Sequence, residues 1–333
     1  MKKFLKILKY FFLGFLIIIL IFLCYLFIGS APKAKEITWG VNFSEKHARN
    51  LGLDWKETFL ALLDDLGARN FKIAAQWDDL EPIDGEFHFD DLDWQIGEAE
   101  KRNANVFLVI GMKTTRWPEC HLPEWAQDLS KEEQQEKILK MIEKVVLRYK
   151  DSKSIWAWQV ENEPFFPFGI CPWVDKKFLK KEIDLVKSLD TKPIIEADSG
   201  EGSFWIDAAK FGDIPSTTMY KKVWFRQINH YVTYHFPSVF YWRKAQIIKF
   251  LFGKKVICGE LQAEPFGPKL MYDISLEEQT KTMNLDRFRK NIDFASKTGL
   301  DTFYLWGSEW WYWMKLKNNQ PEIWQEAKKL FQE

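Results

Sequence analysis

The chain has 333 residues, of which 47% are hydrophobic, and its 47 basic and 47 acidic side chains give a formal net charge of zero. A chain of this length can bury a large core in one big domain or in two ordinary ones. The balanced charge argues against nucleic acid as the main partner, because phosphate binding relies on an excess of lysine and arginine. Aromatic residues are abundant, with 17 Trp and 28 Phe, and flat rings suit both a core and the apolar faces of sugars.

The N-terminus carries a basic segment followed by a long apolar one. Residues 1–9 include four lysines, and Tyr10 to Ser30 form an uncharged stretch that is long enough to cross a bilayer as a helix. The lysines should stay in the cytoplasm, which places the rest of the chain outside. The sequence thus predicts a cytoplasmic stub, a signal-anchor helix at 10–30, a linker at 31–36 and one extracytoplasmic domain at 37–333. The alternative is a signal peptide cleaved near Ala31, since small residues precede it.

Short apolar segments alternate with helical periodicity over the rest of the chain. Eight strands are predicted, at residues 37–43, 70–75, 105–111, 155–160, 193–197, 216–220, 256–260 and 302–306. Eight helices follow them, at 55–66, 92–102, 131–149, 175–189, 204–211, 239–252, 276–298 and 321–331. This alternation predicts an α/β fold with parallel strands and crossover helices, and eight units fit a closed (β/α)8 (TIM) barrel. The alternative is an open doubly wound sheet, but no Gly-rich phosphate-binding turn follows the first strand.

In a barrel of this kind, catalytic groups lie at the C-terminal ends of the strands. Glu163 follows the fourth predicted strand and Glu260 ends the seventh, so the two lie on opposite sides of the mouth and can face one point. Paired carboxylates are what glycosidic bond cleavage requires, because one protonates the leaving oxygen and the other attacks the anomeric carbon. Histidine is scarce, with five in the chain, and we expect neither a metal nor an organic cofactor.

Several segments resemble the clan A glycoside hydrolases, the cellulase-like retaining (β/α)8 enzymes. "WQVENEP" is similar to the Asn-Glu-Pro motif that ends their fourth strand, and "VICGELQAEPF" is similar to the seventh-strand segment that carries their nucleophile. The second, sixth and eighth strands have counterparts in "FKIAAQWDDLEPIDGEFHFDDLD", "TMYKKVW" and "YLWGSEWWYW". The resemblance covers nearly all of Ile37 to Phe331. It implies retention of anomeric configuration, with the two carboxyl groups roughly 5 to 5.5 Å apart.

The resemblance also implies a role for each matching residue. Glu163 corresponds to the general acid/base, Glu260 to the nucleophile and Asn162 to the residue that binds the sugar 2-hydroxyl. Further residues are predicted to bind substrate or to line its site, namely Tyr220, Trp306, Trp77, Lys72 and Glu309. Two positions depart from the pattern, because Lys72 stands where many members have an arginine that donates to the nucleophile, and Gly111 stands where a histidine is often found.

The cysteines include one pair that can form a disulfide. Cys120 and Cys171 lie in loop-like sequence outside the predicted membrane span, where a disulfide can persist. The alternatives are two free thiols, or a metal site that includes His121.

Three further features of the sequence lead to expectations about the surroundings of the site. Glu161 is expected to support its neighbours from behind, paired with a cation inside the barrel. The segment from Lys221 to Tyr241 is aromatic and basic, and it either walls the cleft or approaches the membrane. Of the aromatic cluster at 310–313, one or two side chains are expected at the cleft and the others in the core.

These features predict a membrane-anchored, extracytoplasmic, retaining β-glycoside hydrolase that acts on an oligo- or polysaccharide. One alternative is a transglycosylase that remodels envelope glycan with the same residues. Another is a carbohydrate-binding barrel without activity, which the intact pair of carboxylates disfavours. Its expected partners are carbohydrate and the lipid bilayer, whereas the sugar, the linkage and the oligomeric state depend on features that the sequence does not reveal.

Overall fold

The computed structural model describes residues 2–332. Its barrel strands are β1 (Thr38–Phe43), β2 (Asn70–Ala74), β3 (Asn105–Ile110), β4 (Ile155–Val160), β5 (Ile194–Asp198), β6 (Ile214–Met219), β9 (Ile257–Gln262) and β10 (Thr302–Trp306). Between β6 and β9 lie β7 (Lys222–Phe225) and β8 (His230–Thr233), which pair as an antiparallel hairpin. The eight barrel strands are parallel and close in the order β1-β10-β9-β6-β5-β4-β3-β2, which confirms the predicted (β/α)8 fold.

Helices surround the barrel and one precedes it. They are α1 (Lys2–Phe27), α2 (Glu45–Asn50), α3 (Trp55–Ala61), α4 (Trp77–Leu80), α5 (Asp90–Lys101), α6 (Lys131–Tyr149), α7 (Lys176–Leu189), α8 (Ile206–Phe211), α9 (Ser238–Phe252), α10 (Leu276–Thr280), α11 (Leu285–Ser296), α12 (Ser308–Lys317) and α13 (Glu322–Lys329). A π-helical turn at Leu62–Leu66 continues α3. The sequence therefore predicted the main alternation of strands and helices correctly.

Two helices differ from the prediction for identifiable reasons. The helix predicted at 276–298 is divided into α10 and α11, because Ser275 and Asn284 each accept a backbone N–H and cap a separate helix. The sequence missed α12. The first five residues of this helix are all buried, among them Trp310 and Trp311, so no polar face alternates with an apolar one there to produce a helical period.

The inside of the barrel is filled by a small apolar cluster. Its fully or nearly fully buried members come from five strands and are Phe107, Val109, Ala157, Ile195, Ile257 and Tyr304. Gly40 on β1 makes room for one of them, because a Cβ atom there would lie 2.6 Å from the ring of Tyr304. The filled interior leaves only the C-terminal ends of the strands for a site.

Helix α1 is apolar and largely exposed until its last turns. Residues Lys3–Phe27 are long and apolar enough to cross a membrane, as a signal sequence would also be. Near its end, Leu26 is only 2% exposed, and the ring of Phe27 stacks on Phe240 with 5.1 Å between the centroids. The end of α1 is therefore docked on the barrel domain next to α9.

Candidate active site

The acidic motif of the fourth strand begins where β4 ends. The backbone of Glu161 and of Glu163 lies in the left-handed region, with φ of 60° and 45°. Non-glycine residues adopt such conformations at a cost of roughly 1–3 kcal/mol each, and they concentrate at active sites where the surroundings hold them. Because the alternation of a regular strand is broken here, the neighbours Asn162 and Glu163 both hydrogen-bond to residues at the barrel mouth.

Glu260 on β9 is buried and accepts two short hydrogen bonds. Nζ of Lys72 on β2 donates to its Oε1 at 2.8 Å, and the hydroxyl of Tyr220 donates to its Oε2 at 2.8 Å. An ammonium and a hydroxyl that both donate to a carboxylate favour its ionised form. Burial and the charge of Glu260 raise the pKa of Tyr220 well above its usual value, so the phenol keeps the proton that it donates.

Glu163 lies in a different environment from Glu260. Its Oε1 accepts one hydrogen bond, from Oγ1 of Thr218 at 3.2 Å. Burial raises the pKa of Glu163 to about 8, and the negative charge of Glu260 adds to the effect. Lys113 is close, but its Nζ donates to the backbone oxygens of Glu163 and Phe166, at 2.9 and 2.8 Å. Of the two carboxyl groups, Glu163 therefore holds its proton more firmly.

Asn162 connects the two halves of the site. Its Oδ1 accepts from Nζ of Lys72 and from Nε2 of Gln159, each at 3.0 Å. Its Nδ2 donates only a long hydrogen bond, 3.4 Å, to Oε2 of Glu119. The side chain is thus fixed through its oxygen, whereas its amide donor faces the acidic side of the site.

The loop after β3 contributes Glu119, a third carboxylate that the sequence analysis did not single out. Burial raises the pKa of Glu119 to about 8, and the negative charges of Glu260 and Glu163 add to this effect while Lys113 opposes it. Its backbone has φ of 75°. A Cβ atom on Gly169 would lie 2.5 Å from that of Glu119, so the loop after β4 can pack here only because it has a glycine.

The same loop contributes Arg116, which lies over Trp306. The guanidinium carbon is 4.1 Å from the centroid of the indole ring, a cation–π contact. Arg116 also donates to Glu264 and, at 3.1 Å, to Oε2 of Glu309. Burial raises the pKa of Glu264, but the opposing effect of Arg116 and His47 is larger, so that the pKa falls to about 2. The ring that the sequence predicts as the floor of the sugar site is therefore covered by a guanidinium in this structure.

Arg116→Ala should lower the free energy of unfolding by roughly 3–5 kcal/mol, because the buried carboxylates of Glu264 and Glu309 would lose their shared cation. Denaturant unfolding of the full chain in detergent micelles would measure the loss. Arg49→Ala is a suitable control, since Arg49 is 51% exposed and pairs with Glu45 on the surface. An equal loss in both variants would contradict the structural role of Arg116.

Two residues predicted to bind substrate lie away from the opening. Trp77 is fully buried, its Nε1 donates to Glu81 at 2.8 Å, and its ring meets that of Trp125 edge to face. The prediction that Trp77 lies against a sugar is therefore wrong for this structure, because the ring has no exposed face. Glu309 is also fully buried, and besides Arg116 it accepts the backbone N–H of Ser44. It fixes the base of the site and does not face the cleft.

Glu161 supports the motif in a way that differs from the expected ion pair. Its two carboxylate oxygens accept the backbone N–H groups of Met112 and Lys113, at 2.8 and 2.6 Å. Burial raises the pKa of Glu161 to about 7. A Cβ atom on Gly111 would lie 2.6 Å from Oε1 of Glu161, and Gly111 has φ of 115°. Here the carboxylate occupies the space that a side chain at 111 would need, which explains why this position departs from the clan A pattern.

Two more buried carboxyl groups lie behind Glu161. Burial raises the pKa of Glu182 and of Glu196 well above the usual value, and the charge of Glu161 adds to both shifts. Neither carboxyl oxygen of Glu196 has a hydrogen-bond partner in the described part of the chain. Among residues 2–332, no group of three or more His, Cys, Asp or Glu is arranged to hold a metal ion. The carboxyl groups of Glu182 and Glu196 are therefore favoured in the uncharged form, and ionising them at high pH costs free energy of folding.

Glu196→Gln should stabilise the protein at pH 8 by roughly 1–3 kcal/mol, because glutamine fills the same space without a charge. A carboxyl whose pKa is raised by folding contributes stability below its unfolded pKa of 4.5 and loses it as pH rises through the folded value. Unfolding midpoints measured between pH 5 and 8 should fall less steeply for this variant than for the wild type. The exposed Glu132→Gln is the control, and identical slopes for all three proteins would refute the prediction.

Cys120 and Cys171 form a disulfide, with 5.1 Å between their Cα atoms. The bond joins the loop after β3 to the loop after β4. The first of these loops carries Arg116 and Glu119, and the second follows Glu163. The cysteine pair that the sequence analysis selected therefore links two loops at the barrel mouth.

The fold and the site together define a class of protein. A closed (β/α)8 barrel with two carboxylates at the mouth, in environments that favour opposite protonation states, has the architecture of a glycoside hydrolase. Residues 32–179 match the profile of glycosyl hydrolase family 10, a range that contains β1 to β4 and Glu163 and ends before Glu260. The resemblance to the clan A glycoside hydrolases is thereby confirmed, and it supports glycosidase activity.

Solved structures share the fold over most of the chain. A GH5_18 protein from Bifidobacterium longum subsp. longum has a TM-score of 0.58 and 12% identity, over 82% of this chain and 70% of that one. A β-galactosidase from the psychrophilic Marinomonas ef1 has a TM-score of 0.60 and 12% identity, over 89% and 59%. Xylanase 10B from Thermotoga petrophila, solved with xylobiose, has a TM-score of 0.52 and 15% identity, over 82% of both chains. A search of curated protein sequences gives no match.

Proposed function

We propose that the protein is a membrane-anchored, retaining β-glycosidase in which Glu163 is the general acid/base and Glu260 the nucleophile. The observation that carries this proposal is the contrast between the two carboxyl groups. Glu260 accepts hydrogen bonds from Lys72 and Tyr220, whereas the pKa of Glu163 is raised to about 8. Two carboxyl groups whose surroundings differ in this way suit one acidic and one nucleophilic role.

The reaction would proceed in two displacements. In the first, a carboxylate oxygen of Glu260 bonds to the anomeric carbon while the bond to the leaving oxygen breaks, and Glu163 gives that oxygen its proton. In the second, Glu163 removes a proton from water, the water oxygen bonds to the anomeric carbon, and the carboxylate of Glu260 leaves. Each displacement inverts the anomeric centre, so the product retains the original configuration.

Neighbouring residues would orient these groups. Lys72 fixes both Glu260 and Asn162, and in the place of an arginine it offers a point charge without a planar fork. The amide donor of Asn162, which makes only a long hydrogen bond to Glu119, would bind the sugar 2-hydroxyl, where a hydrogen bond strengthens in the transition state. Trp306 would line the sugar site, with the guanidinium of Arg116 over the face of its ring.

Trapping the glycosyl-enzyme would test the assignment. The full chain is incubated with a panel of activated 2-fluoro-glycosides and then digested, and the labelled peptide is mapped. We expect label on Glu260. Label on another residue, or no label with any sugar, would refute the proposed nucleophile, and Glu260→Gln is the control for unspecific labelling. Product analysis with sugar acceptors present would separate hydrolysis from transglycosylation.

Helix α1 would hold the enzyme at the membrane, with the barrel domain outside the cytoplasm. Its length, its apolar surface and the lysines at its N-terminal end support this arrangement. Resistance of the expressed protein to extraction with alkaline carbonate would support an anchor. Recovery of a chain that begins near Ala31 would instead identify a cleaved signal peptide.

A further inference from the structure

The end of α1 contacts the catalytic end of the barrel. The ring of Phe22 lies 6.1 Å from that of Phe204, in the loop after β5, and Phe27 lies 6.1 Å from Phe236, in the segment before α9. Both partners belong to connections that follow barrel strands. Such connections lie at the C-terminal ends of the strands, the same end as Glu163 and Glu260.

The chain then runs from the mouth toward the opposite end of the barrel. Gly29 lies next to Arg243, in the second turn of α9, and Pro32 lies next to Gly299. The first residue of β1, Thr38, is at the N-terminal end of the barrel, where it bonds to Asp301. Read backwards from β1, the chain rises to the mouth, and α1 continues beyond it. A membrane that contains α1 therefore lies on the side of the mouth.

The contact with Phe22 also fixes the depth of one loop. The uncharged stretch ends at Ser30, but helix α1 already ends at Phe27. A helical rise of 1.5 Å per residue places Phe22 about 7 Å from the end of the helix, and farther from the end of the uncharged stretch. A loop that touches Phe22 is thus at the level of lipid rather than of bulk water. Phe204 is 44% exposed, so part of its ring faces away from the protein.

The hairpin β7–β8 extends from the same end of the barrel and is positively charged. Residues 214–259, which include it, contain eight Lys and Arg and no Asp or Glu, although the whole chain has no net charge. Near the hairpin turn, Ile228 is 62% exposed and Phe225 is 37% exposed. Exposed apolar side chains among basic ones are typical of segments that lie in the interface of an anionic membrane.

We propose that a mouth surface, formed by Phe204, Lys222, Phe225, Arg226 and Ile228, is a second membrane contact that binds anionic phospholipid. This inference rests on the proposed anchoring by α1. With α1 at one point and the hairpin at another, the barrel cannot rotate freely about its anchor, and its mouth is held at the headgroups. The site would then take glycans that are attached to the membrane or lie against it, whichever sugar it cleaves.

Spin labels on the full chain in proteoliposomes would test the proposal. Native Cys24 serves as the label site in α1, because the other cysteines are paired or buried. Two variants in a Cys24→Ser background carry the label elsewhere: Ile228→Cys on the mouth surface, and Leu251→Cys at the far end of α9. Leu251 is the matched control, since it is also apolar and 55% exposed.

Accessibility of each label to oxygen and to a water-soluble nickel complex gives its depth. We expect the labels at Cys24 and Ile228 in lipid and the label at Leu251 in water. With 30% phosphatidylglycerol, the ratio of oxygen to nickel accessibility at 228 should exceed that in pure phosphatidylcholine by at least about threefold. In the double variant Lys222→Gln/Arg226→Gln this lipid dependence should disappear.

The outcomes separate the two proposals. In one outcome, the label at Cys24 is in lipid, but the label at 228 is as exposed to water as the label at 251. This outcome overturns the second contact and leaves the anchor intact. Label at Cys24 in water refutes the anchor itself. Neither result depends on glycosidase activity, so failure of the proposed chemistry would be recognised separately.

Discussion

Glu260→Ala should lower kcat/KM by at least about 10⁴-fold, because the groups of a nucleophilic site act as a unit and the chemistry fails without the attacking atom. Lys72 and Tyr220 would still be in place but would have no carboxylate to orient. The measurement uses the aryl β-glycoside that the trapping experiment identifies. The exposed Glu277→Ala, in α10, is the control and should keep the activity of the wild type.

Azide should restore part of the lost activity in Glu260→Ala. A small anion can enter the space of the missing carboxylate, bond to the anomeric carbon from the same face and displace the aryl group. Only one displacement then occurs, so the product is a glycosyl azide of inverted configuration. A retained product, or rescue that is equally strong in Glu163→Gln, would contradict the assignment of Glu260 as the nucleophile.

Glu163→Gln should lower kcat/KM by roughly 10²–10⁴-fold for substrates with poor leaving groups, because these need a proton in the transition state. Activated aryl glycosides, whose leaving oxygen needs little protonation, should keep most of their rate in the first step. The two substrate classes are compared by the rate of the first displacement, measured as a burst of released phenol. Equal losses for both classes would contradict the acid role.

The same residue should determine the alkaline limb of the pH profile. The proton on Glu163 is needed for catalysis, and its pKa is raised to about 8. The value of kcat/KM, which reports on the free enzyme, should therefore fall about tenfold per pH unit above this pH. In Glu163→Gln this limb should vanish, because glutamine does not titrate.

The barrel and its two principal carboxylates could be predicted because both depend on local patterns. A buried strand of five or six residues is visible as an apolar run. Glu163 lies three residues after the end of β4, and Glu260 lies in the second half of β9. The barrel topology then places both at one mouth without further information. Lys72 could likewise be predicted, since it lies on β2 in a position that points toward the interior.

Arg116 and Glu119 could not be predicted in the same way. Both lie in the loop after β3, at φ values of 79° and 75° that non-glycine residues rarely adopt. Nothing in the neighbouring sequence requires these conformations, which depend on contacts with the loop after β9, with α12 and with the loop after β4. The one local signal was Cys120, which marked this loop as fixed to another. Trp77 was misjudged for the related reason that an aromatic ring at a strand end packs as readily as it binds.

The disulfide between Cys120 and Cys171 has a consequence for where the protein can work. It closes a loop of about fifty residues around β4, and thereby joins the segment that carries Arg116 and Glu119 to the segment that follows Glu163. Reducing conditions in the cytosol keep thiols reduced, so that this bond would not persist there. Under such conditions the two loops would be held by non-covalent contacts alone, and the mouth would be less firmly fixed than in the oxidised protein.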